Sequence, residues 1–159
     1  MQLSKHFSLE EMERSQTAQR LGIKNKAGSG EIKNLGDLCY NVLEPCRAKF
    51  GKPIRISSGY RSEELCVAIG SKKTSQHALG MAVDMEIPSE SNLKVALWIQ
   101  NNVDFDQLIL EYYTGEANSG WIHVSYHEGS NRKQVLTFDG KSYTNGLPEA
   151  KWSGGKLTN

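Results

Sequence analysis

The sequence predicts a single α+β domain spanning residues 1–159, with a small antiparallel sheet that carries helices on one face and a cleft on the other. Three observations predict it. The length of 159 residues suits one compact domain. Segments with helical periodicity are interspersed with short strands, of which about four should form the sheet. Along the strands, apolar residues alternate with polar ones, so the two faces of the sheet should differ.

The first helical segments are indicated by capping residues and apolar spacing. Ser8, which is followed by acidic residues, predicts a short helix in the segment HFSLEEMERSQTAQRLGI. Apolar residues at near-helical spacing predict a helix over residues 31–50. Pro45 lies inside that stretch and predicts a kink or a break there, because proline lacks the backbone N–H that a helix interior needs.

Capping residues and apolar spacing also predict the helices and strands after residue 50. SEELCVAIG predicts a brief helix, and Ser89 or Ser91 should cap the next one. The residues of that next helix expected to point inward are Leu93, Ala96, Leu97 and Val103. The segments expected as strands are PIRISS, GMAVDMEI, DQLILEYY, GWIHVSY and QVLTF. Residues 145–159 predict a polar, partly ordered tail.

The middle strands have two different faces, because alternate side chains of a strand point in opposite directions. One face is apolar and should lie under the helices; its residues are Val83, Met85, Ile87, Leu108, Leu110, Tyr112, Ile122, Val124 and Tyr126. The other face carries Ala82, Asp84, Glu86, Ile109, Glu111, Tyr113, Trp121, His123 and Ser125. Carboxylates from different strands, a histidine and aromatic rings on one face are unusual for simple solvation, so this face predicts a functional cleft.

Bulk properties exclude several classes. The net charge of +1 provides no basic field for nucleic acid, and no apolar run approaches the roughly 20 residues of a membrane span. The N-terminus lacks the apolar region of a secretory signal, so we expect synthesis in the cytoplasm. Cys39, Cys46 and Cys66 are odd in number and lack zinc-finger spacing, so we expect free, buried thiols.

His77, Asp84 and His123 form a set of two histidines and one carboxylate. Catalytic zinc commonly takes three such ligands and leaves a position for water, although manganese or iron also accept these donors. Gly80 allows the chain to turn so that His77 and Asp84 can face one centre. Spacing alone leaves open the alternative that Asp84 caps a turn and His123 is an ordinary hydrogen-bonded strand residue.

Three blocks occur in the order SGYRS (58–62), SQHALGMAVD (75–84) and WIHVSY (121–126). They resemble the signature blocks of the M15 zinc peptidases. Within that family they resemble the phage-type branch, which is related to D-alanyl-D-alanine carboxypeptidases and L-alanyl-D-glutamate endopeptidases. The segments FSLEEMERSQTAQRLGI and NLGDLCYNVLEPCRAKFGKPIRISSGYRS are also similar to that branch. The likeness covers residues 6–140.

The resemblance implies one Zn²⁺ per chain, held by His77, Asp84 and His123. It further implies that Arg61 binds a substrate carboxylate or carbonyl near the scissile bond, for which a guanidinium has the right geometry. Ser75 is expected to hydrogen-bond near the site, and Trp121 is a candidate substrate-binding residue.

The general base is less directly indicated. Many M15 enzymes place Glu or Asp three residues before the last histidine ligand, but this chain has Gly120 there. Strand alternation nominates Glu111 instead, since partial burial raises a carboxyl pKa toward the working range of a base. A salt bridge at the strand edge is the alternative role for Glu111, and Glu116 and His127 are reserve candidates.

The resemblance therefore implies a zinc peptidase that hydrolyses peptide bonds of bacterial peptidoglycan, with Glu111 as base and Arg61 as substrate clamp. The expected partner is the peptidoglycan peptide, with no nucleic acid and no membrane. The expected setting is a phage endolysin that is released to the wall through a holin-type partner. The alternatives are a D,D-carboxypeptidase and, from another class, a non-catalytic zinc-stabilised wall-binding module. The bond cut, the host and the oligomeric state stay open.

Overall fold

The structure is a computed structural model that describes residues 1–149, 151–153 and 156–158. The helices are α1 (Leu9–Glu13), α2 (Gln16–Leu21), α3 (Ser29–Leu38), α4 (Glu44–Phe50), α5 (Glu63–Ala68) and α6 (Asn92–Asn102), and a π-helical turn, Cys39–Leu43, joins α3 to α4. The strands are β1 (Arg55–Ser58), β2 (Ala82–Glu86), β3 (Gln107–Glu111), β4 (Trp121–Ser125), β5 (Gln134–Phe138), β6 (Tyr143–Asn145), β7 (Lys151–Ser153) and β8 (Lys156–Thr158).

The fold is α+β, as the sequence predicts, with one open six-stranded sheet in the order β1-β2-β4-β3-β5-β6. Neighbouring strands are antiparallel except β3 and β5, which run parallel. The sheet is thus larger than the predicted four strands. Because β2 and β3 already occupy both edges of β4, β5 pairs with the free edge of β3. The chain reverses direction between β4 and β5, so β5 runs parallel to β3.

The hydrophobic core lies between the helices and the apolar face of β2, β3 and β4. Its sheet residues include Val83, Met85, Ile87, Leu108, Leu110, Ile122, Val124 and Tyr126, all of them buried. The helices contribute Leu35, Leu38, Val42, Leu93, Val95, Ala96 and Ile99 to the same cluster. Burial of this apolar surface is the main term that stabilises the fold, and it directs the opposite sheet face toward the cleft.

The N-terminal segment forms two helices where the sequence predicts one. Ser8 caps α1 as predicted, in a capping box with Glu11. Arg14 then adopts an extended conformation, and Ser15 caps α2 through a hydrogen bond from the Ala18 N–H. The second N-cap serine explains the break, because its side chain stabilises a new helix start.

Pro45 interrupts the long helical segment as predicted, through a π-helical turn. The Glu44 N–H donates to the Cys39 carbonyl, five residues back, and Pro45 lies in the first turn of α4. Proline supplies no N–H and crowds the carbonyl four residues before it, so the preceding turn widens.

Tyr112 departs from the predicted alternation. Its φ of +53° places it in the left-handed region directly after β3 ends at Glu111. Tyr112 is therefore 48% exposed and its ring stacks on Trp121, while Tyr113 packs against the core. The predicted faces of these two tyrosines are exchanged, because one left-handed residue inverts the order of the side chains that follow.

Ser91, and not Ser89, is the N-cap of α6, whose Leu93 and Ala96 are buried. Cys39, Cys46 and Cys66 are free and buried. No helix in the described part of the chain is long and apolar enough to cross a bilayer. Of the predicted tail, residues 150, 154, 155 and 159 lie outside the described residues, and β7 pairs with β8.

Candidate metal centre

The three predicted ligands converge because two of them are direct partners in the sheet. Asp84 in β2 lies opposite His123 in β4, so both side chains project from the same face. His77 lies in the turn that leads into β2. Its neighbour Gly80 has a φ of +72°, and a Cβ there would come within 2.5 Å of the Glu31 carbonyl oxygen. Only glycine can make this turn, which packs closely against the start of α3.

Asp84 Oδ1 is the centre of the group. It lies 3.2 Å from His123 Nδ1 and 3.5 Å from His77 Nε2. One potential ligand atom from each residue lies within 4.8 Å of the other two. Two imidazoles and a carboxylate form the donor set that suits a catalytic zinc ion.

Two further observations fit a metal at this position. The Nδ1 of His77 lies 2.7 Å from the Gly59 carbonyl oxygen, so this nitrogen donates there and Nε2 is left as the acceptor facing Asp84. The Nε2 of His123 is buried and has no hydrogen-bond partner among the described residues. A buried ring nitrogen without a partner is costly in a finished polar network, and it suits a site that takes a further group.

The electrostatics keep the donors in their ligand forms. Burial lowers the pKa of His77 despite the opposing carboxylate of Asp84, which favours the neutral imidazole that a metal needs. Burial alone would raise the pKa of Asp84, but its contacts with His123 and His77 outweigh the effect of burial and lower that pKa. Asp84 is therefore an anion under ordinary conditions.

Arg61 is held against this group by two hydrogen bonds. Its Nε donates to Ser58 Oγ at 2.9 Å, and its Nη2 donates to Asp84 Oδ2 at 3.0 Å. The sequence predicts a substrate clamp but gives no sign of this ion pair. One terminal nitrogen, Nη1, has no partner among the described residues, so Arg61 can still bind a ligand while it orients Asp84.

A cleft of about 370 Å³ contains all the predicted site residues and is called the metal cleft below. Glu111, Ser75 and Trp121 line it together with Arg61 and the two histidines. Ser75 accepts a hydrogen bond from the His77 N–H at 3.2 Å, so it stabilises the turn that carries His77 in addition to lining the cleft. Glu111 is partly buried, and that burial raises its pKa.

Gly120 lies three residues before His123, and its surroundings leave no room for a side chain. A Cβ at Gly120 would lie 1.7 Å from the Glu111 carbonyl oxygen and 2.8 Å from the Tyr112 carbonyl carbon. The backbone there also has a φ of +65°. The chain that carries Glu111 thus fills the space that a side chain at residue 120 would need.

Other acids and histidines considered for the base lie away from the cleft. Glu116 and His127 are exposed and do not line it. Glu86 forms an ion pair with Arg55 at 3.0 Å. Among the described residues, Glu111 is the one carboxylate other than Asp84 in the wall of the metal cleft.

The sequence does not predict three residues that line the cleft, namely Ser71, Gln107 and Tyr143. Gln107 begins β3 on the same face as Ile109 and Glu111, so alternation contained the necessary signal. Tyr143 arrives through the pairing of β6 with β5, and its ring stacks on Phe138. No local pattern marks it, since its position depends on the β5–β6 register.

Comparison with known proteins adds one positive finding. A family model described as Peptidase M15 matches residues 5–125, a range that includes Arg61, Glu111 and the three candidate ligands. A search of curated proteins gave no match.

Proposed function

The chain belongs to the peptidase M15 family, and from that membership and its metal cleft we propose that it is a zinc-dependent peptidase that hydrolyses the peptides of bacterial peptidoglycan. The family consists of zinc-dependent peptidases. The observation that carries the proposal is the placement of His77, Asp84, His123, Arg61 and Glu111 in one cleft. These residues are not neighbours in the sequence: they come from a turn, three strands and a loop, and only the fold brings them together.

His77, Asp84 and His123 are the residues that hold zinc in this proposal. When bound, zinc supplies a Lewis acid that polarises a carbonyl and makes water more acidic. Glu111 is the base that accepts a proton from the attacking water, and its raised pKa places it closer to the pH at which a base works best. In the next step the same carboxyl can return that proton to the leaving amine.

Arg61 binds the substrate beside the scissile bond through its free Nη1. The hydrogen bonds to Ser58 and Asp84 fix the guanidinium, so little further ordering is needed when the substrate binds. Ser75 and Trp121, which line the walls of the metal cleft, are proposed to contact the two sides of the peptide.

The cleft supports an endopeptidase more than a carboxypeptidase. A cavity of about 470 Å³ meets the metal cleft at Arg61, and another of about 540 Å³ meets it at His123 and Ser75. A substrate chain can therefore extend in both directions from the cleavage point. A D,D-carboxypeptidase, which removes a terminal residue, is the second candidate because Arg61 can also bind a terminal carboxylate.

The phage-type setting is part of the proposal. The resemblance of the N-terminal half to that branch supports an endolysin made in the cytoplasm and released to the wall by a holin-type partner. Expression inside a host with and without a holin should lyse cells only in the first case. Lysis without a holin would contradict this route.

Digestion of purified peptidoglycan tests the proposed activity. The zinc-loaded protein should reduce turbidity and release new amino groups; a chelator should stop both, and added zinc should restore them. Free D-alanine as the sole product would favour the carboxypeptidase. Binding to the wall without any release, in folded zinc-loaded protein, would reject the peptidase in favour of the wall-binding module.

A further inference from the structure

A cavity separate from the metal cleft lies on the far side of Arg61. It has a volume of about 470 Å³ and is called the arginine cavity below. Arg14 and Arg61 contribute its charges, Gln16 and Thr17 contribute polar groups, and Leu65 and Ile56 contribute apolar surface. No acidic residue is among the described residues that line it.

The two arginines are in different electrostatic states. Arg61 is paired with Asp84, so much of its charge is compensated. Arg14 is exposed and its side chain has no hydrogen bond or ion pair among the described residues. Arg14 is thus an uncompensated guanidinium at the wall of a cavity that shares Arg61 with the metal cleft.

The segments that carry the two arginines are locked together. The Tyr60 N–H donates to the Met12 carbonyl at 2.7 Å. Gly59 lies so close to α1 that a Cβ there would come within 2.6 Å of the same carbonyl oxygen. Arg14 follows α1 directly and Arg61 follows Tyr60, so the fold sets the spacing of the two backbone positions that carry the arginines.

Asn25 joins the same two segments from inside. Its Nδ2 donates to the Glu13 carbonyl at 2.8 Å and to the Tyr60 carbonyl at 2.9 Å, and its Oδ1 accepts from the Ser62 N–H at 2.7 Å. Asn25 is buried, and all three bonds are to backbone. Such a satisfied buried bridge rigidifies its surroundings, so the cavity exists before any ligand binds.

We propose that the arginine cavity is a second anion subsite, in which Arg14 binds a free carboxylate of the substrate peptide distinct from the group held at Arg61. The inference rests on the proposed function and specifies its substrate: a stem peptide whose side carboxylate is free and not amidated. Guanidinium binds a carboxylate through a charge-assisted pair and binds a neutral amide far less well. The apolar wall at Leu65 and Ile56 accommodates the carbon chain that carries the carboxylate.

A matched pair of synthetic stem peptides tests this inference. The two peptides are identical except that the side carboxylate of the glutamate-derived residue is free in one and a primary amide in the other. In the wild-type protein, kcat/KM should favour the acid by about tenfold, the effect of one charge-assisted hydrogen bond of ordinary strength. The preference should shrink at high salt, because the Arg14 side is exposed to solvent.

Substitutions assign the preference to one residue. Arg14→Gln should lower kcat/KM for the acid peptide only and bring the ratio close to 1. Arg14→Lys should keep part of the preference, since it keeps the charge but loses the planar fork. Arg20→Gln is the control, because Arg20 is exposed on α2 and does not line the cavity; it should leave the ratio unchanged.

Calorimetric binding separates this inference from the proposed function. Affinities of both peptides are measured in zinc-loaded Glu111→Gln protein, with and without Arg14→Gln. A preference for the acid that disappears with Arg14→Gln supports the subsite even if neither peptide is cut by the wild type, an outcome that would reject only the proposed cleavage. Equal affinities for acid and amide, or an equal loss of both with Arg14→Gln, would overturn the subsite.

Discussion

Glu111 stands at the end of β3 with its carboxyl in the metal cleft, and the residue after it is left-handed. A bulge one position earlier would have turned Glu111 away from His123. As it is, Glu111 keeps the face of Ile109, which lies opposite His123 in the ladder. The position of one irregular residue thus decides whether the Glu111 carboxyl faces the cleft.

Glu111→Gln should retain zinc and the fold but lower kcat by about 10²-fold or more, because the amide cannot accept a proton. Burial raises the pKa of Glu111, so wild-type activity should fall as pH decreases through that raised pKa, and the variant should lose this limb. Activity against peptidoglycan fragments across pH measures both. Glu116→Gln, in an exposed loop, should behave as wild type. Near-wild-type activity in zinc-loaded Glu111→Gln would reject the role.

Gly120→Ala should destabilise the protein by about 2–4 kcal/mol, since its Cβ would lie 1.7 Å from a backbone oxygen at a φ of +65°. Gly22→Ala is a matched control, with a φ of +69° and nothing within 4 Å of the added Cβ. It should cost only about 1–2 kcal/mol, the penalty of the left-handed conformation itself. Urea unfolding measures the free energy of unfolding of both variants. An equal decrease in the two would show that the clash at Gly120 contributes nothing.

At the scale of elements, Asp106 connects the start of β3 to the turn that carries His77. It accepts two hydrogen bonds from the Arg132 side chain, at 3.0 and 2.9 Å, one from the Arg132 N–H at 3.0 Å, and one from Gln76 Nε2 at 2.7 Å. Gln76 directly precedes His77. The hydrogen bonds of Asp106 therefore fix the turn that carries His77 relative to the start of β3.

Asp106→Asn should lower the free energy of unfolding at pH 7 by about 1–3 kcal/mol, because it removes a buried anion from its charged partner Arg132. The Arg132 side chain above all holds the pKa of Asp106 at about 2, below its usual value. Its contribution is therefore complete above about pH 4 and is lost as the pH falls from about 4 toward 2. Urea unfolding at several pH values should find the two proteins converging over that interval.

Asp104→Asn is the control for that series. Asp104 is 74% exposed and its partner Lys133 is 54% exposed, so this ion pair should contribute little. If the free energies of unfolding of wild type and Asp106→Asn differ by a constant amount down to pH 2, the pH dependence does not come from the Asp106 carboxylate.

The central strands could be predicted from sequence because each has one buried face, and the alternation of apolar residues fixes which side chains share the other face. That alternation places Asp84, His123 and Glu111 on one face, and the strand pairing of the structure agrees. The exchange of Tyr112 and Tyr113 could not be predicted, since a tyrosine with positive φ has no sequence signal. The parallel pairing of β5 and the arrival of Tyr143 depend on which strand edge is free, a property of the assembled sheet. The ion pair between Arg61 and Asp84 likewise requires the docking of β1 on β2.

At the scale of the whole molecule, the proposed zinc site joins segments that are distant in the chain. Asp84 and His123 lie on neighbouring strands, and His77 is tied to Gly59 beyond β1. An unfolded chain does not hold these groups together, so zinc should bind the native state preferentially and stabilise it.

The midpoint of thermal unfolding should therefore rise with free zinc concentration, by an amount that increases with the logarithm of the concentration above Kd. His123→Ala should remove both this rise and the bound zinc measured by metal analysis. His127→Ala, which changes an exposed histidine outside the cleft, should keep both. Full zinc occupancy in His123→Ala would show that the ligands are assigned wrongly.

The burial of the three cysteines has a consequence for redox chemistry. Burial raises the pKa of Cys39 and Cys46 to about 12 and also raises that of Cys66. Thiolates, which react with oxidants and alkylating agents, are therefore scarce at neutral pH. None of the three cysteines lines the metal cleft, so the candidate ligands there are nitrogen and oxygen donors. The folded protein should consequently work equally well in reducing and oxidising surroundings.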